Sequence, residues 1–192
     1  MSNYLSIIKQ RTEESIAVKR ALLETQADTI AVVAAVLVEA MHNGKTLYLC
    51  GNGGSAGDAQ HIAAELVGRF TKERRALPAV ALTTNSSALT ALGNDYEYAI
   101  VFSRQLEAFG KAGDILIGIS TSGNSPNVLH ALETAKTLGM VTVGLTGETG
   151  GKTNAAADHC ICVPSRDTAR IQESHILIGH ILCEIIECEL FG

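Results

Sequence analysis

The chain has 192 residues, a net charge of −5 and 46% apolar residues, with aromatic residues at only 4%. This length suffices for one domain whose core is built from Ala, Leu, Ile and Val, a composition typical of a parallel sheet covered by helices. The negative charge argues against a general nucleic-acid surface, and no apolar run reaches the roughly 20 residues that span a membrane.

The first forty or so residues are predicted to form two amphipathic helices. Apolar residues recur at helical spacing between Ile7 and Leu22 and again between Ile30 and Ala40, and Gly44 is positioned to end the second helix. The start of the chain lacks the apolar core of a signal peptide. We expect these helices to pack against the sheet or a neighbouring subunit, in a cytoplasmic protein with no membrane partner and no nucleic-acid partner.

The five cysteines, at positions 50, 160, 162, 183 and 188, are an odd number without zinc-finger spacing. Cys160 and Cys162 alternate with apolar residues, which places them on one face of a strand. We expect all five to be reduced packing residues, as is usual in cytoplasmic proteins.

After residue 44, short apolar runs alternate with segments of helical periodicity. The predicted strands are Thr46–Cys50, Ala79–Leu82, Ile115–Ile119, Met140–Leu145 and His159–Val163. The predicted helices are about Ala56–Phe70, Ser86–Leu92, Tyr98–Phe109, Asn127–Leu138 and Ala169–Phe191, with a polar break at 93–95 and a glycine-rich loop at 146–152.

This alternation predicts a three-layer α/β sandwich, in which a five-stranded parallel sheet of the flavodoxin or Rossmann type has right-handed crossovers and helices on both faces. We expect one domain over residues 1–192. Within it, residues 1–43 form N-terminal helices, and residues 44–192 form the core with its long C-terminal helix. Ligands of such sheets bind at the carboxyl ends of the strands.

The stretch after the first predicted strand is rich in glycine. Gly51, Gly53 and Gly54 permit backbone conformations closed to other residues and let a ligand approach the main chain, and the amides that open the next helix favour an anion. Gly51, Gly53 and Ala56 also match the G-x-G-x-x-A dinucleotide pattern. That interpretation requires an acidic residue after the second strand. Residues 83–85 are Thr-Thr-Asn, so we favour a phosphorylated small molecule.

A second polar loop follows the third predicted strand. Ser125 is predicted to cap the next helix and Pro126 suits its first turn, which leaves the hydroxyls of Ser120, Thr121 and Ser122 beside free amides. Three neutral donors and a helix N-terminus can hold a phosphate dianion. The alternative is a polar turn with a good helix cap.

Histidine and carboxylate side chains mark two of the predicted helices. His61 and Glu65 share one helix face, a spacing suited to a metal, to acid–base chemistry or simply to a solvated face. The terminal helix adds Gln172, His175 and His180 to an apolar segment. Gln172 and His180 lie about 12 Å apart along a helix, so we expect them to flank a site or to reach it from different subunits.

At these residues the sequence resembles the phosphoheptose isomerases, a bacterial branch of the sugar isomerase (SIS) domain family. The resemblance is carried by CGNGGSAGDAQHIAAEL (50–66), PAVALTT (78–84), GNDY (93–96), ISTSGNSPN (119–127), LTG with GG (145–151) and ARIQESH…GH (169–180). It implies conversion of D-sedoheptulose 7-phosphate to D-glycero-D-manno-heptose 7-phosphate, the first step toward ADP-heptose and the heptose of lipopolysaccharide. It also implies a cytoplasmic homotetramer with active sites shared between subunits.

The resemblance further implies a set of site residues. One zinc ion (Zn²⁺) per subunit would be held by His61, Glu65, Gln172 and His180. The residues implied in binding the sugar phosphate are Asn52, Gly53, Gly54, Ser55, Glu65, Arg69, Asn94, Asp95, Ser120, Thr121, Ser122, Ser125 and Gln172. Some relatives have an aspartate where this chain has Ala169, and the nearby Asp167 is an open alternative for its role.

An aldose–ketose isomerisation moves a proton between C1 and C2 through an enediol, which requires a base near both carbons and an acid near both oxygens. Our hypothesis assigns the carbon proton to Glu65 and acid–base assistance to His180. The competing interpretations are a protein-binding module of the replication-initiator-associating type, which lacks this pair of residues, a sugar-phosphate sensor, and an isomerase acting on another ketose phosphate.

Overall fold

The structure is a computed structural model that describes the backbone of residues 2–192 and the side chains from Asn3 onward. It begins with one continuous 41-residue helix, α1 (Ser2–His42), where the sequence predicts two. The two apolar segments are joined by residues 23–29, a run without Gly or Pro, so nothing in the local sequence interrupts the helix. Gly44, with φ of 67°, follows its end, as predicted.

Strands and helices then alternate as the sequence predicts. The strands are β1 (Leu47–Gly51), β2 (Ala79–Ala81), β3 (Ile115–Ser120), β4 (Val141–Thr146) and β5 (His159–Cys162). The helices are α2 (Gly54–Val67), α3 (Ser86–Asp95), α4 (Ser103–Phe109), α5 (Pro126–Thr137), α6 (Thr153–Ala156) and α7 (Thr168–Phe191).

All strand pairs are parallel, and the sheet order is β2-β1-β3-β4-β5. The chain therefore leaves β1 toward one edge of the sheet, and after β2 it returns to the other side of β1 to add β3. At this reversal the loops after β1 and β3 lie side by side at the carboxyl edge, where parallel sheets bind ligands. The α/β sandwich with a five-stranded parallel sheet is confirmed.

Alternating strand residues supply two cores, one on each face of the sheet. Leu47 and Leu49 of β1 belong to the larger core, which α1, α2 and α7 cover. Tyr48 and Cys50 point the other way, into the core covered by α4 and α5. Helices on both faces explain why the strands are apolar at nearly every position rather than at alternate ones.

Two local predictions are wrong, and one short helix was missed. The expected polar break at 93–95 lies inside α3, whose hydrogen bonds continue to the donation from the Tyr96 amide to the Leu92 carbonyl. The single helix expected over 98–109 is a 3₁₀ turn (Tyr98–Ile100) followed by α4, and this interruption allows the adjacent Val101 and Phe102 both to enter the core. The short helix α6 was not expected from the sequence.

By length and composition alone, helix α1 is long and apolar enough to cross a membrane. It contains an 18-residue window of mean hydropathy 1.7, of which 28% is buried, whereas no run long enough is expected from the sequence. Val33, Leu37 and Met41 on this helix are buried in the core shared with α7 and the sheet. Apolar packing against the sheet therefore accounts for part of that hydropathy.

Candidate active site

The β1–α2 loop approaches its neighbours so closely that it requires glycine. Gly53 has a φ of 56°, a backbone region that favours glycine. A Cβ on Gly54 would lie 2.5 Å from Nε2 of Gln172, so Gln172 of α7 packs directly on the start of α2. The predicted ligand loop and the terminal helix are therefore in contact within one chain.

The β3–α5 loop gathers the predicted phosphate donors. The hydroxyl of Ser120, at the end of β3, lies 2.9 Å from that of Ser125 and 3.5 Å from that of Ser122. Ser125 occupies the N-cap position of α5, but its side chain makes no hydrogen bond to the helix amides. The prediction that Ser125 caps the helix is therefore wrong, because its hydroxyl pairs with Ser120 instead.

A cavity of about 310 Å³ opens beside this loop. Thr121 and Ser122 form part of its wall, together with Gly147, Glu148, Thr149, Ser165, Arg166, Thr168 and Ile171. Its polar lining and its position at the carboxyl ends of β3 and β4 suit a small, oxygen-rich ligand.

His61, Glu65 and His180 form one cluster. The Nε2 atom of His61 lies 3.1 Å from Oε1 of Glu65 and 3.4 Å from Nε2 of His180, and all three ligand atoms lie within 4.8 Å of one another. Two imidazole nitrogens and a carboxylate oxygen at this separation suit a metal ion. The sequence left open whether two subunits supply this set, and the structure assembles these three residues from one chain.

Close packing of α7 on α2 creates this cluster. A Cβ on Gly179 would lie 2.6 Å from Cδ1 and Cγ1 of Ile62, so the two helices touch at the residues next to His180 and His61. Phe70 also lies beside His180, with a ring-centroid distance of 5.4 Å.

A buried ion pair fixes the end of α2. Nε of Arg74 donates to Glu187 of α7 at 2.8 Å, and both side chains are fully buried. Arg74 also donates to the carbonyl oxygens of Glu65 and Leu66, in the last turn of α2, where carbonyl groups lack partners within the helix. The pair thus ties the part of α2 that carries Glu65 to the helix that carries His180.

The carboxylate of Glu187 is stabilised in its charged form. Burial alone would raise its pKa, but donations from the Thr71, Phe70 and Lys72 amides outweigh burial and lower the pKa to about 2. By contrast, burial lowers the pKa of His175 to about 4. His175 lies inside the core, near the carbonyl of Thr146, and is a packing residue rather than part of the cluster.

Some expected site residues lie elsewhere in the described chain. Asn94 donates to Asp95 at the exposed end of α3, and the exposed Arg69 faces Glu73 at 3.7 Å. Asp167 accepts a hydrogen bond from the Ala169 amide at the start of α7, so its carboxylate serves as a helix cap.

Several known proteins are similar to this chain in sequence and in fold. A model of the SIS domain matches residues 12–147. The phosphoheptose isomerase of Roseiflexus sp. (strain RS-1) is 57% identical over 93% of this chain and 91% of its own length, and that of Clostridium acetobutylicum is 50% identical over 97% and 96%. The solved phosphoheptose isomerase of Neisseria gonorrhoeae superposes with a TM-score of 0.92 at 44% identity, covering 96% of this chain and 99% of that one.

The chain belongs to the phosphoheptose isomerase family of SIS-domain proteins. The resemblance stated from the sequence is thereby confirmed.

One residue that positions the ligand loop of this chain was not predicted from the sequence. The buried side chain of Asn127 exchanges two hydrogen bonds of 2.9 Å with that of Asn52, which joins the β1–α2 loop to the start of α5. An amide directly after a helix-opening proline was the available signal, but only the sheet order shows that the two loops are neighbours.

Proposed function

We propose that this chain catalyses the aldose–ketose isomerisation of D-sedoheptulose 7-phosphate to D-glycero-D-manno-heptose 7-phosphate. The observation that carries the proposal is the cluster of His61, Glu65 and His180 on the packed helices α2 and α7, in a chain 57% identical to a phosphoheptose isomerase. The hydroxyls gathered around Ser120 supply the phosphate site that such a substrate requires.

The proposed chemistry uses one base and one acid. Glu65 removes a proton from C1 of the ketose to give the enediol and returns it to C2, while His180 gives a proton to O2 and accepts one from O1. The carboxylate of Glu65 is only partly exposed, which limits exchange of the carried proton with water. In this scheme Asn52 and the glycines of its loop orient the sugar, and Ser120, Thr121, Ser122 and Ser125 hold the phosphate.

The proposal includes one Zn²⁺ per subunit. The donor set of His61, Glu65 and His180 fits this ion, with Gln172 as the proposed fourth ligand. Zinc bound there would supply Lewis-acid polarisation of a substrate oxygen. The remaining substrate-binding residues in the proposal are Gly53, Gly54, Ser55, Arg69, Asn94, Asp95 and Gln172.

We further propose a cytoplasmic homotetramer of single-domain subunits with shared active sites, acting at the first step toward ADP-heptose and lipopolysaccharide heptose. The exposed positions of Arg69, Asn94 and Asp95 support sharing, since a second subunit is what would bring them to a site. A sugar phosphate is the proposed partner, rather than a nucleic acid or a membrane.

The decisive experiment incubates the purified protein with D-sedoheptulose 7-phosphate and follows the aldose by NMR. We expect turnover of the heptulose phosphate and little or none of fructose 6-phosphate under the same conditions. Binding without turnover would instead indicate a sensor, and equal turnover of both sugars would overturn the assigned substrate. If the protein keeps its full rate after its metal has been removed, the zinc proposal is overturned but the isomerase proposal is not.

A further inference from the structure

Two thiols lie side by side on β5. The Sγ atoms of Cys160 and Cys162 are 3.8 Å apart, and both residues are only half-buried. Oγ1 of Thr146, on the neighbouring strand, donates to Sγ of Cys162 at 3.4 Å and lies 3.6 Å from Sγ of Cys160. The pair therefore has a shared hydrogen-bonding partner and partial access to solvent.

Cys162 differs in pKa from the buried cysteines. The hydrogen bond from Cys160 lowers the pKa of Cys162, while the same contact raises the pKa of Cys160, so the proton resides on Cys160 and the thiolate on Cys162. Burial raises the pKa of Cys50 and of Cys183 to about 12, which leaves both as inert thiols. Cys188 is exposed and lies far along α7.

We propose that Cys160 and Cys162 form a reversible dithiol–disulfide site that a hydroperoxide oxidises, and that oxidation weakens the neighbouring serine loop. The Cys162 thiolate attacks one peroxide oxygen, so an S–O bond forms as the O–O bond breaks, and the released oxygen takes up a proton to leave as water or an alcohol. Cys160 then attacks the Cys162 sulfenic acid. The S–S bond forms as the S–O bond breaks, and hydroxide leaves with the Cys160 proton as water.

Closing the disulfide has to deform β5. The sulfur atoms must approach to about 2.05 Å, and two residues on one face of a regular strand are too far apart at Cβ for that bond. β5 has four residues and pairs only with β4 in the described sheet, so it can bend. A strained disulfide of this kind is readily reduced, as a reversible site requires.

The strand is in contact with the serine loop through two glycines. A Cβ on Gly150 would lie 3.2 Å from Sγ of Cys162, and a Cβ on Gly123 would lie 2.1 Å from the carbonyl oxygen of Gly150. Gly123 belongs to the loop that carries Ser120 and Ser122, and its carbonyl accepts hydrogen bonds from the amide and hydroxyl of Thr153. Movement of Cys162 is therefore transmitted to the hydroxyls that hold phosphate in the proposed function, on which this consequence rests.

The chemistry is tested apart from the activity. Reduced protein is treated with hydrogen peroxide, and intact-mass spectrometry with peptide mapping identifies the product. We expect the loss of two hydrogen atoms, located at Cys160–Cys162 and reversed by dithiothreitol. Cys160→Ser should stop at a sulfenic acid on Cys162 that dimedone traps, and Cys188→Ser should behave as wild type. Oxidation of Cys188 with an intact dithiol pair would overturn the proposal.

The effect on the loop is tested by hydrogen exchange and by kinetics. Oxidation should speed amide exchange at residues 122–124 and 150–153, and it should raise KM for D-sedoheptulose 7-phosphate about tenfold, equivalent to one lost hydrogen bond to a charged group. Cys160→Ser should show neither change after the same treatment. Unchanged exchange and KM in fully disulfide-bonded protein would overturn the coupling. Absence of turnover in reduced protein counts against the proposed function, and the exchange result still stands.

Discussion

At the scale of single residues, the structure separates side chains that do chemistry from side chains that place them. Glu65 and His180 both lie within hydrogen-bonding distance of His61, the central residue of the cluster. Asn127 acts on the site through its amide pair with Asn52. Substitutions of the two kinds should therefore alter different kinetic constants.

Replacing the proposed base gives the sharpest test at this scale. Glu65→Gln keeps the size of the side chain but removes its ability to accept a carbon proton, so we expect kcat to fall about 10²–10⁴-fold with little change in thermal unfolding temperature. The measurement is NMR turnover with circular dichroism melting. Glu73→Gln, at a side chain that is 92% exposed, is the matched control. Full activity in Glu65→Gln would exclude Glu65 as the base.

Loss of the amide pair should affect binding more than the chemical step. Asn127→Ala leaves the Asn52 side chain without both hydrogen bonds to its one partner, so we expect KM for the heptulose phosphate to rise about tenfold while kcat changes less. Steady-state kinetics measures this. Asn43→Ala changes an exposed amide that pairs only with Glu39 near the end of α1, and it should leave KM unaltered. If the two variants have equal KM values, Asn127 does not position Asn52.

At the scale of elements, the decisive contact is that of α2 with α7. The contact is possible because Gly179 presents no side chain to Ile62. A methyl group there would force the helices apart beside His61 and His180. We expect Gly179→Ala to destabilise the chain by about 1–3 kcal/mol and to weaken zinc binding about 10-fold or more.

Chemical denaturation and competition with a zinc indicator measure the two effects of Gly179→Ala. Gly57→Ala is the matched control, because a Cβ at this helical glycine meets nothing within 4 Å and a compatible glycine replacement is neutral or stabilising. If Gly179→Ala binds zinc as tightly as wild type, the helix contact does not hold the cluster.

The buried Glu187 carboxylate, which the amides of residues 70–72 hold in its charged form, predicts a pH dependence of stability. Because folding lowers the pKa of Glu187 to about 2, its contribution is fully present above the ordinary value near 4.3 and is lost as the pH falls from there toward 2. Glu187→Gln leaves Arg74 buried without its charged partner, so we expect a loss of about 3 kcal/mol at pH 7. The difference from wild type should shrink as the pH falls below about 4.

Urea denaturation at several pH values measures this difference. Glu184→Gln, at an exposed position on the same helix, should match wild type throughout. If the free energies of unfolding of Glu187→Gln and wild type differ by the same amount at every pH down to 3, the ionised carboxylate is not what stabilises the folded chain.

At the scale of the whole molecule, the sequence predicted the sheet and its layers because apolar runs and glycine turns are local signals. It also predicted His61 with Glu65, since four residues always share a helix face. It could not predict that α1 is continuous, because two apolar stripes give the same pattern whether or not they are joined. It could not place Asn127 against Asn52 or Gly179 against Ile62 either, because those contacts depend on sheet order and on helix packing.

The outer face of α1 and α7 leads to a prediction about assembly. Leu22, Leu23 and Ile30 line an apolar groove of about 390 Å³ with Leu177, Ile181 and Ile185, and Leu23 is 70% exposed in the single chain. Apolar surface of this kind is stabilised when another subunit covers it. We expect the wild-type protein to sediment as a homotetramer and Leu23→Asp to sediment as a smaller species, since an unpaired carboxylate cannot be buried there without a large penalty.

Phe109→Asp is the control for that experiment, because Phe109 is also exposed, at 58%, but lies at the end of α4, away from the groove. It should leave the sedimentation coefficient unchanged. If the active sites are shared, Leu23→Asp should also lose turnover although its own His61, Glu65 and His180 remain together. A dissociated variant with full activity would show that one subunit contains a complete site, and an undissociated one would show that the groove is not the interface.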